Sequence, residues 1–181
     1  MIELIQGFDQ IVYNLLFSMH STFMTGSMVV ITECASAVTF VLLLLAVYLI
    51  VEKKYYVKYV TINLVLVFLL AHIIKFFVNR PRPSVLQIVS ETGSSFPSAH
   101  TMVSFGFYGF LIYLIYTKVK NKTIRYITIP VLSVLIFLIG ISRIYLGVHY
   151  ASDVIGAWLI GSIYLFVFIK FVYKKNLFKF M

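Results

Sequence analysis

The chain has 181 residues, of which 61% are hydrophobic and 12% charged, with a mean hydropathy of +1.00. A soluble domain is about 25% charged, so this apolar excess excludes a water-soluble globule and points to a single membrane-embedded domain over residues 1–181. The net charge of +9 does not indicate nucleic acid, because the basic residues fall between hydrophobic runs, and the single cysteine, Cys34, excludes an internal disulfide and a thiolate metal cluster.

The start, Met1-Ile2-Glu3-Leu4, has no basic stretch and no small-residue cleavage site after it, so the apolar segments are expected to be retained. From Leu4 to Met19, apolar residues recur at Leu4, Ile5, Phe8, Ile11, Val12, Leu15, Leu16 and Met19, a helical stripe. Gln6, Asp9, Gln10, Tyr13 and Asn14 fill the other face. A spanning helix would carry Asp9, Gln10 and Asn14 through lipid, so residues 1–22 are expected to form an amphipathic helix lying at the interface.

Five apolar runs follow, Cys34 to Val51, Tyr56 to Ile74, Thr101 to Thr117, Ile124 to Ile141 and Val154 to Tyr173. Each approaches the ~20 residues that cross a bilayer, and lipid offers the backbone no hydrogen-bond partners, so each is predicted to be a helix. The expected fold is all-α: an integral membrane bundle of about five transmembrane helices, with the interfacial helix ahead of it. Lys53, Lys54, Lys58, Lys118, Lys120, Lys122, Arg125, Lys170, Lys174, Lys175 and Lys179 fall on one set of connections, which the positive-inside rule places in the cytoplasm together with the C-terminus. Lys75, Arg80, Arg82 and Arg143 fall at the opposite, outward ends. The longest polar connection, Asn79 to Ser98, holds three of the four prolines and is expected to be functional.

Three clusters share that outward side: Lys75 to Pro83 (KFFVNRPRP), Phe96 to His100 (FPSAH) and Ser142 to Asp153 (SRIYLGVHYASD). Charges near lipid are costly, and a bound anion would give these a common reason. Lys75, Arg82 and Arg143 bring three positive charges, and two guanidinium forks suit phosphate better than carboxylate. Pro97-Ser98 before an apolar run predicts a helix start that aims the amides of Ala99 and His100 outward, an arrangement that binds phosphate. Attack on phosphorus also needs a nucleophile and an acid. His149 has Asp153 four residues on, so a helix beginning near Val148 would put both on one face and let the carboxylate hold one imidazole nitrogen. His100 lacks such a partner and suits the acid role.

At these residues the chain resembles the type-2 phosphatidic acid phosphatase superfamily, which includes the vanadium haloperoxidases. That family shows lysine, six residues, Arg-Pro; then Pro-Ser-Gly-His; then Ser-Arg, five residues, His, three residues, Asp. Here these are Lys75 with Arg82-Pro83, then Pro97-Ser98-Ala99-His100, then Ser142-Arg143 with His149 and Asp153. At roughly one in twenty per fixed position, the third motif alone would recur by chance about once in 10⁵ windows. The resemblance covers a catalytic core over residues 56–173 and implies a helical bundle, phosphate binding by Lys75, Arg82, Ser98, Ala99 and Arg143, His100 as general acid, His149 as nucleophile and Asp153 as its orienter. Ala99 stands where glycine is usual, and the first of the six crossings of many bacterial members is missing here or reduced to the interfacial helix.

The function expected is a lipid phosphatase acting on a phosphate or pyrophosphate, such as phosphatidic acid, phosphatidylglycerophosphate or undecaprenyl pyrophosphate, through a phosphohistidine and without metal or cofactor. A transporter or a vanadate-dependent oxidase using the same cluster is the weaker reading. Arg80 is read as a snorkelling anchor, His20 and His72 as packing residues, Glu33 as an interfacial residue, and Gly140, Gly156 and Gly161 as sites of close helix packing.

Overall fold

The structure is a computed structural model that describes residues 2–85 and 87–175. Lys179, counted above among the cytoplasmic charges, lies outside the described residues. Helices follow in the order α1 (Ile2–Phe17), α2 (Thr22–Glu33), α3 (Ala37–Ile50), α4 (Lys54–Val78), α5 (Ala99–Lys118), α6 (Lys122–Tyr145) and α7 (Ala151–Val167), the last continuing as a π-helix over Phe168–Tyr173. There is no strand among the described residues. The helix starts follow local chemistry: Ser21, Ser36 and Asn121 accept from the amides of Met24, Thr39 and Ile124 at 3.2, 3.2 and 3.3 Å.

By length and hydropathy four helices can cross a membrane, α4, α5, α6 and α7 with its continuation, and a fifth span arises if α1 and α2, bent by 119°, count as one. The protein is therefore a multi-pass membrane protein. The expected first crossing is corrected: α3 has 14 residues, about 21 Å of helix against a hydrocarbon layer of about 30 Å. The 12-residue α2 was not foreseen, because so short a segment falls below the length at which an apolar run reads as a span.

The amphipathic helix is present, but it does not leave its whole polar face to water. Leu4, Ile5, Phe8, Ile11 and Leu15 are exposed, while Asp9 is 4% exposed and turned into the protein. Val12 and Leu16 pack on Ile144, Ala151 and Val154, which seats α1 across the ends of α6 and α7.

α5 is the central helix, packed against α4, α6 and α7. Thr101, Met102, Val103, Ser104, Phe107, Tyr108 and Phe110 are all buried, whereas Val65, Phe68, Leu69, Ile73, Phe76 and Phe77 of α4 face outward. Lipid is as apolar as leucine, so hydrophobicity alone does not separate these two environments. The helices approach closely where side chains are missing. A Cβ on Gly140 would stand 2.5 Å from Trp158 Cζ2, in keeping with the close helix packing expected there, whereas one on Gly156 would stand 2.5 Å from Phe96 Cε2, in the connection before α5 and not in a helix. The second contact clamps the Phe96–His100 segment onto α7.

Candidate functional site

The C-terminal ends of α4 and α6 and the N-terminal ends of α5 and α7 meet at one end of the bundle. Asn79 ends α4 in the left-handed region (φ 44°), its amide donating to Lys75 O at 3.1 Å, a conformation asparagine tolerates. The long connection then folds back: Ser95 N donates to Arg80 O at 2.8 Å, and Ile88 N to Leu146 O at 3.0 Å. After α6, Gly147 at φ 75° reverses the chain, and the amides of Val148 and His149 both donate to Arg143 O at 3.3 Å. A residue with a Cβ is strained at that φ, so Gly147 lets Arg143 and His149 lie back to back.

His149 is 3% exposed and precedes α7, which begins at Ala151. The expectation that His149 and Asp153 share a helix face is therefore corrected. Asp153 occupies the third helical position, accepts from Tyr150 N at 2.9 Å, and lies 3.5 Å from His149 Nδ1 through that same Oδ2. The length exceeds that of a full hydrogen bond but is within ion-pair reach. Burial pushes the His149 imidazole down to about 4 against the pull of Asp153, so the ring is neutral at pH 7. Its other nitrogen, Nε2, faces Arg82 Nη1 at 3.4 Å.

Arg82 is held by three carbonyls, Gly93 O at 3.0 Å, Thr92 O at 2.8 Å and Val148 O at 2.9 Å. Arg143 is 1% exposed; its guanidinium donates to Thr32 Oγ1 at 2.8 Å and to Glu91 Oε1. Lys75 Nζ donates to Ser94 O. Glu91, the single acid of the connection, thus sits among cations: Oε2 lies 3.5 Å from Arg82 Nη2, and Oε1 is shared by Arg143 and by His100 Nδ1 at 4.0 Å. Burial acts to raise the Glu91 carboxyl, yet Arg143, with His100 and Arg82, holds it below the usual carboxylate range, so it is ionised. Ser98 begins α5 as foreseen, but its hydroxyl accepts from Thr101 Oγ1 at 2.9 Å instead of capping the helix.

A cavity of about 870 Å³ opens from this cluster between α3 and α4. Lys75, Arg82, Glu91, Ala99, His100 and His149 line its polar end, and Phe40, Val41, Leu64, Val65, Phe68 and Leu69 its apolar end. A second cavity of about 760 Å³ reaches His149 from the α1 side. All three sequence clusters therefore meet. Lys75, Arg82, Ala99 and the two histidines line one pocket, Arg143 is buried and joined to it through Glu91, and Ser98 and Asp153 are also buried.

Several residues were missed. Arg80 is not a snorkelling anchor: it donates to Asp153 Oδ1 at 2.6 Å and to Ser152 Oγ at 2.8 Å, and pairs with Asp9 at 3.0 Å. Glu91 and Thr32 also complete the arginine contacts. The available signals were an extra arginine inside KFFVNRPRP, a lone acid in the loop and an acid in an apolar helix. His20 is a packing residue as expected, its ring edge on Tyr145 at 4.2 Å. The His72 ring lies tilted against Phe68, 4.0 Å between ring centroids, and lines the larger cavity. Among the described residues no group of three or more His, Cys, Asp or Glu could hold a metal ion.

The family description "PAP2 superfamily" matches residues 55–177. The chain is 36% identical over 103 residues to phosphatidylglycerophosphatase B of Bacillus subtilis (strain 168), covering 55% of this chain and 49% of that one, so it spans about half of that relative's length. It is 32% identical over 161 residues to undecaprenyl-diphosphatase BcrC of the same organism, 85% of this chain and 78% of that one. In three dimensions it matches the crystal structure of a transmembrane PAP2-type phosphatidylglycerolphosphate phosphatase from Bacillus subtilis with a TM-score of 0.85, covering 98% of this chain and 90% of that one at 23% identity. At that identity the likeness establishes the fold.

Proposed function

Because the chain belongs to the PAP2 superfamily, we propose that it is a membrane phosphatase that hydrolyses a lipid phosphate or pyrophosphate through a phosphohistidine. The observation that carries this reading is the position of Glu91: a carboxylate lies where Arg82, Arg143 and His100 converge, beside the neutral ring of His149. A phosphate oxygen would find the same donors there. The apolar end of the cavity between α3 and α4 suits an acyl or prenyl chain, and both named relatives act on phosphorylated lipids by their names.

In this mechanism Lys75, Arg82 and Arg143, with Ser98 and the amides of Ala99 and His100, neutralise the phosphoryl oxygens. His149 Nε2 attacks phosphorus while Nδ1–H points to Asp153. The bond from that phosphorus to its leaving oxygen breaks, releasing the lipid alcohol from a monophosphate or the lipid monophosphate from a pyrophosphate, and His100 gives its proton to the departing oxygen. Water then attacks the phosphohistidine, His100 takes a proton from it, and inorganic phosphate leaves. The positive-inside pattern supports the reading that this site faces outward from the cell membrane with the C-terminus in the cytoplasm.

Purified protein is assayed for phosphate release from phosphatidic acid, phosphatidylglycerophosphate and undecaprenyl pyrophosphate, with EDTA present and with vanadate added. Turnover that survives EDTA, stops with vanadate and vanishes in His149→Ala is expected. Loss of activity on chelation, or a His149→Ala variant near the wild-type rate, contradicts the mechanism.

A further inference from the structure

Asp153 does not stand alone behind His149. Its Oδ1 accepts from Arg80 Nη1 at 2.6 Å, and the other arm of that guanidinium, Nη2, contacts Asp9 Oδ2 at 3.0 Å. Asp9 also accepts from Ser152, Oδ1 from the backbone amide at 2.7 Å and Oδ2 from the hydroxyl at 2.7 Å. Ser152 is the second residue of α7, so its amide has no partner within the helix. Asp9 therefore caps α7 from another helix and places a negative charge at its positive end. The Arg80 guanidinium lies over the Tyr150 ring, 4.1 Å from its centroid, so the arginine is held from two sides.

The charges along this path matter as much as the contacts. Arg80 with Asp153 alone is a neutral pair, and a neutral pair does little to stabilise positive charge on a neighbouring imidazole. With Asp9 added, the three groups carry one net negative charge. That charge faces the ring at the moment it becomes cationic by bonding to phosphorus. Asp9 belongs to neither the three clusters read from the sequence nor the phosphate pocket, and it lies on the helix that borders the membrane.

We propose that Asp9 is a positioning residue for the hydrolysis: acting through Arg80, it sets the orientation and the residual charge of Asp153, and so makes α1 part of the nucleophile's support. The proposal rests on the reading of His149 as nucleophile. It explains why an acid is buried in a helix whose other acid, Glu3, is exposed.

The test uses the full chain and whichever lipid of the panel above wild type hydrolyses fastest. Asp9→Ala removes charge and all contacts, whereas Asp9→Asn keeps an oxygen for the Ser152 amide but removes the charge and puts an amide nitrogen, which cannot accept, where Oδ2 accepts from Arg80. Loss of a charge-assisted contact predicts a fall in kcat of about tenfold to a hundredfold in both, with KM within about twofold. Asp9→Glu should recover part of kcat. In an Arg80→Ala background, Asp9→Ala should lower kcat no further, because the path is already broken. If Asp9→Ala does not fold, the Asn variant carries the test. A kcat within twofold of wild type in the folded Asn variant, a change in KM alone, or effects that multiply in the double variant overturn the proposal. Those results leave the phosphatase reading intact as long as His149→Ala is inactive. A wild type that releases phosphate from no lipid in the panel overturns both.

Discussion

Glu91→Gln is the sharpest perturbation, because it removes the anion that the pocket supplies to itself. This carboxylate is bonded to Arg143 and lies 3.5 Å from Arg82 and 4.0 Å from His100. A phosphate entering the pocket must either displace it or sit beside it, and both are unfavourable. A hydrogen bond to a charged group is worth about 1.5–3 kcal/mol net. Glu91 is half-buried, so solvent screening favours the lower end, about 1.5 kcal/mol, which is roughly tenfold in an equilibrium constant. The expected outcome is an inhibition constant for vanadate about tenfold lower in Glu91→Gln than in wild type, with the difference shrinking as salt is raised. Inhibition of phosphate release, titrated at two ionic strengths, measures it. An unchanged or higher constant would refute the reasoning, because Glu91 would then be a prop that holds the two guanidinium groups in place.

Further outcomes follow from the same geometry. The His149 ring has its folded pKa below the ordinary value, near 4, so it is neutral above about pH 5 and gains its proton only as pH falls through about 4; ¹⁵N-histidine NMR in detergent, assigned by the signal lost in His149→Gln, should show that titration, and one near 6.5 would contradict the burial argument. Gly147→Ala forces a Cβ into φ 75°, a cost of about 1–2 kcal/mol, and should lower the thermal midpoint by several degrees while reducing kcat, since the turn carries His149. Arg82→Lys exchanges a fork bound to three carbonyls for a single ammonium, and should raise KM at least tenfold in a lipid-phosphate assay with little change in the melting profile.

Much of the architecture was legible because a membrane imposes one simple demand. Backbone polar groups must be satisfied within the segment, so long apolar runs such as Lys54–Val78 and Lys122–Tyr145 announce themselves as helices. The lysine-rich connections suggested a sidedness, and the fixed spacings of Lys75, Arg82, His100, Arg143, His149 and Asp153 marked a group of residues with a shared task. Of the shorter elements, α2 was not legible, and α3 was legible as a helix but was read as a full crossing. α2 and α3 fall below spanning length, and a run of 12 or 14 residues carries no signal that tells a half-span from a loop or a packing helix.

What the sequence determined by itself was composition-level and motif-level: an all-helical membrane bundle, and the residues whose charges require a common partner. Tertiary structure alone decided how those residues connect. Nothing in the chain order indicates that Asp9 and Arg80, 71 residues apart, close on Asp153, that Glu91 fills the space between two arginines, or that His149 sits before its helix and not on it. The physical reason is range. Helix formation and membrane insertion depend on neighbours within a few turns, whereas ion pairs between buried groups depend on which helix ends the bundle brings together, and lipid-facing and core-facing surfaces are too alike in hydrophobicity for sequence to say which those are.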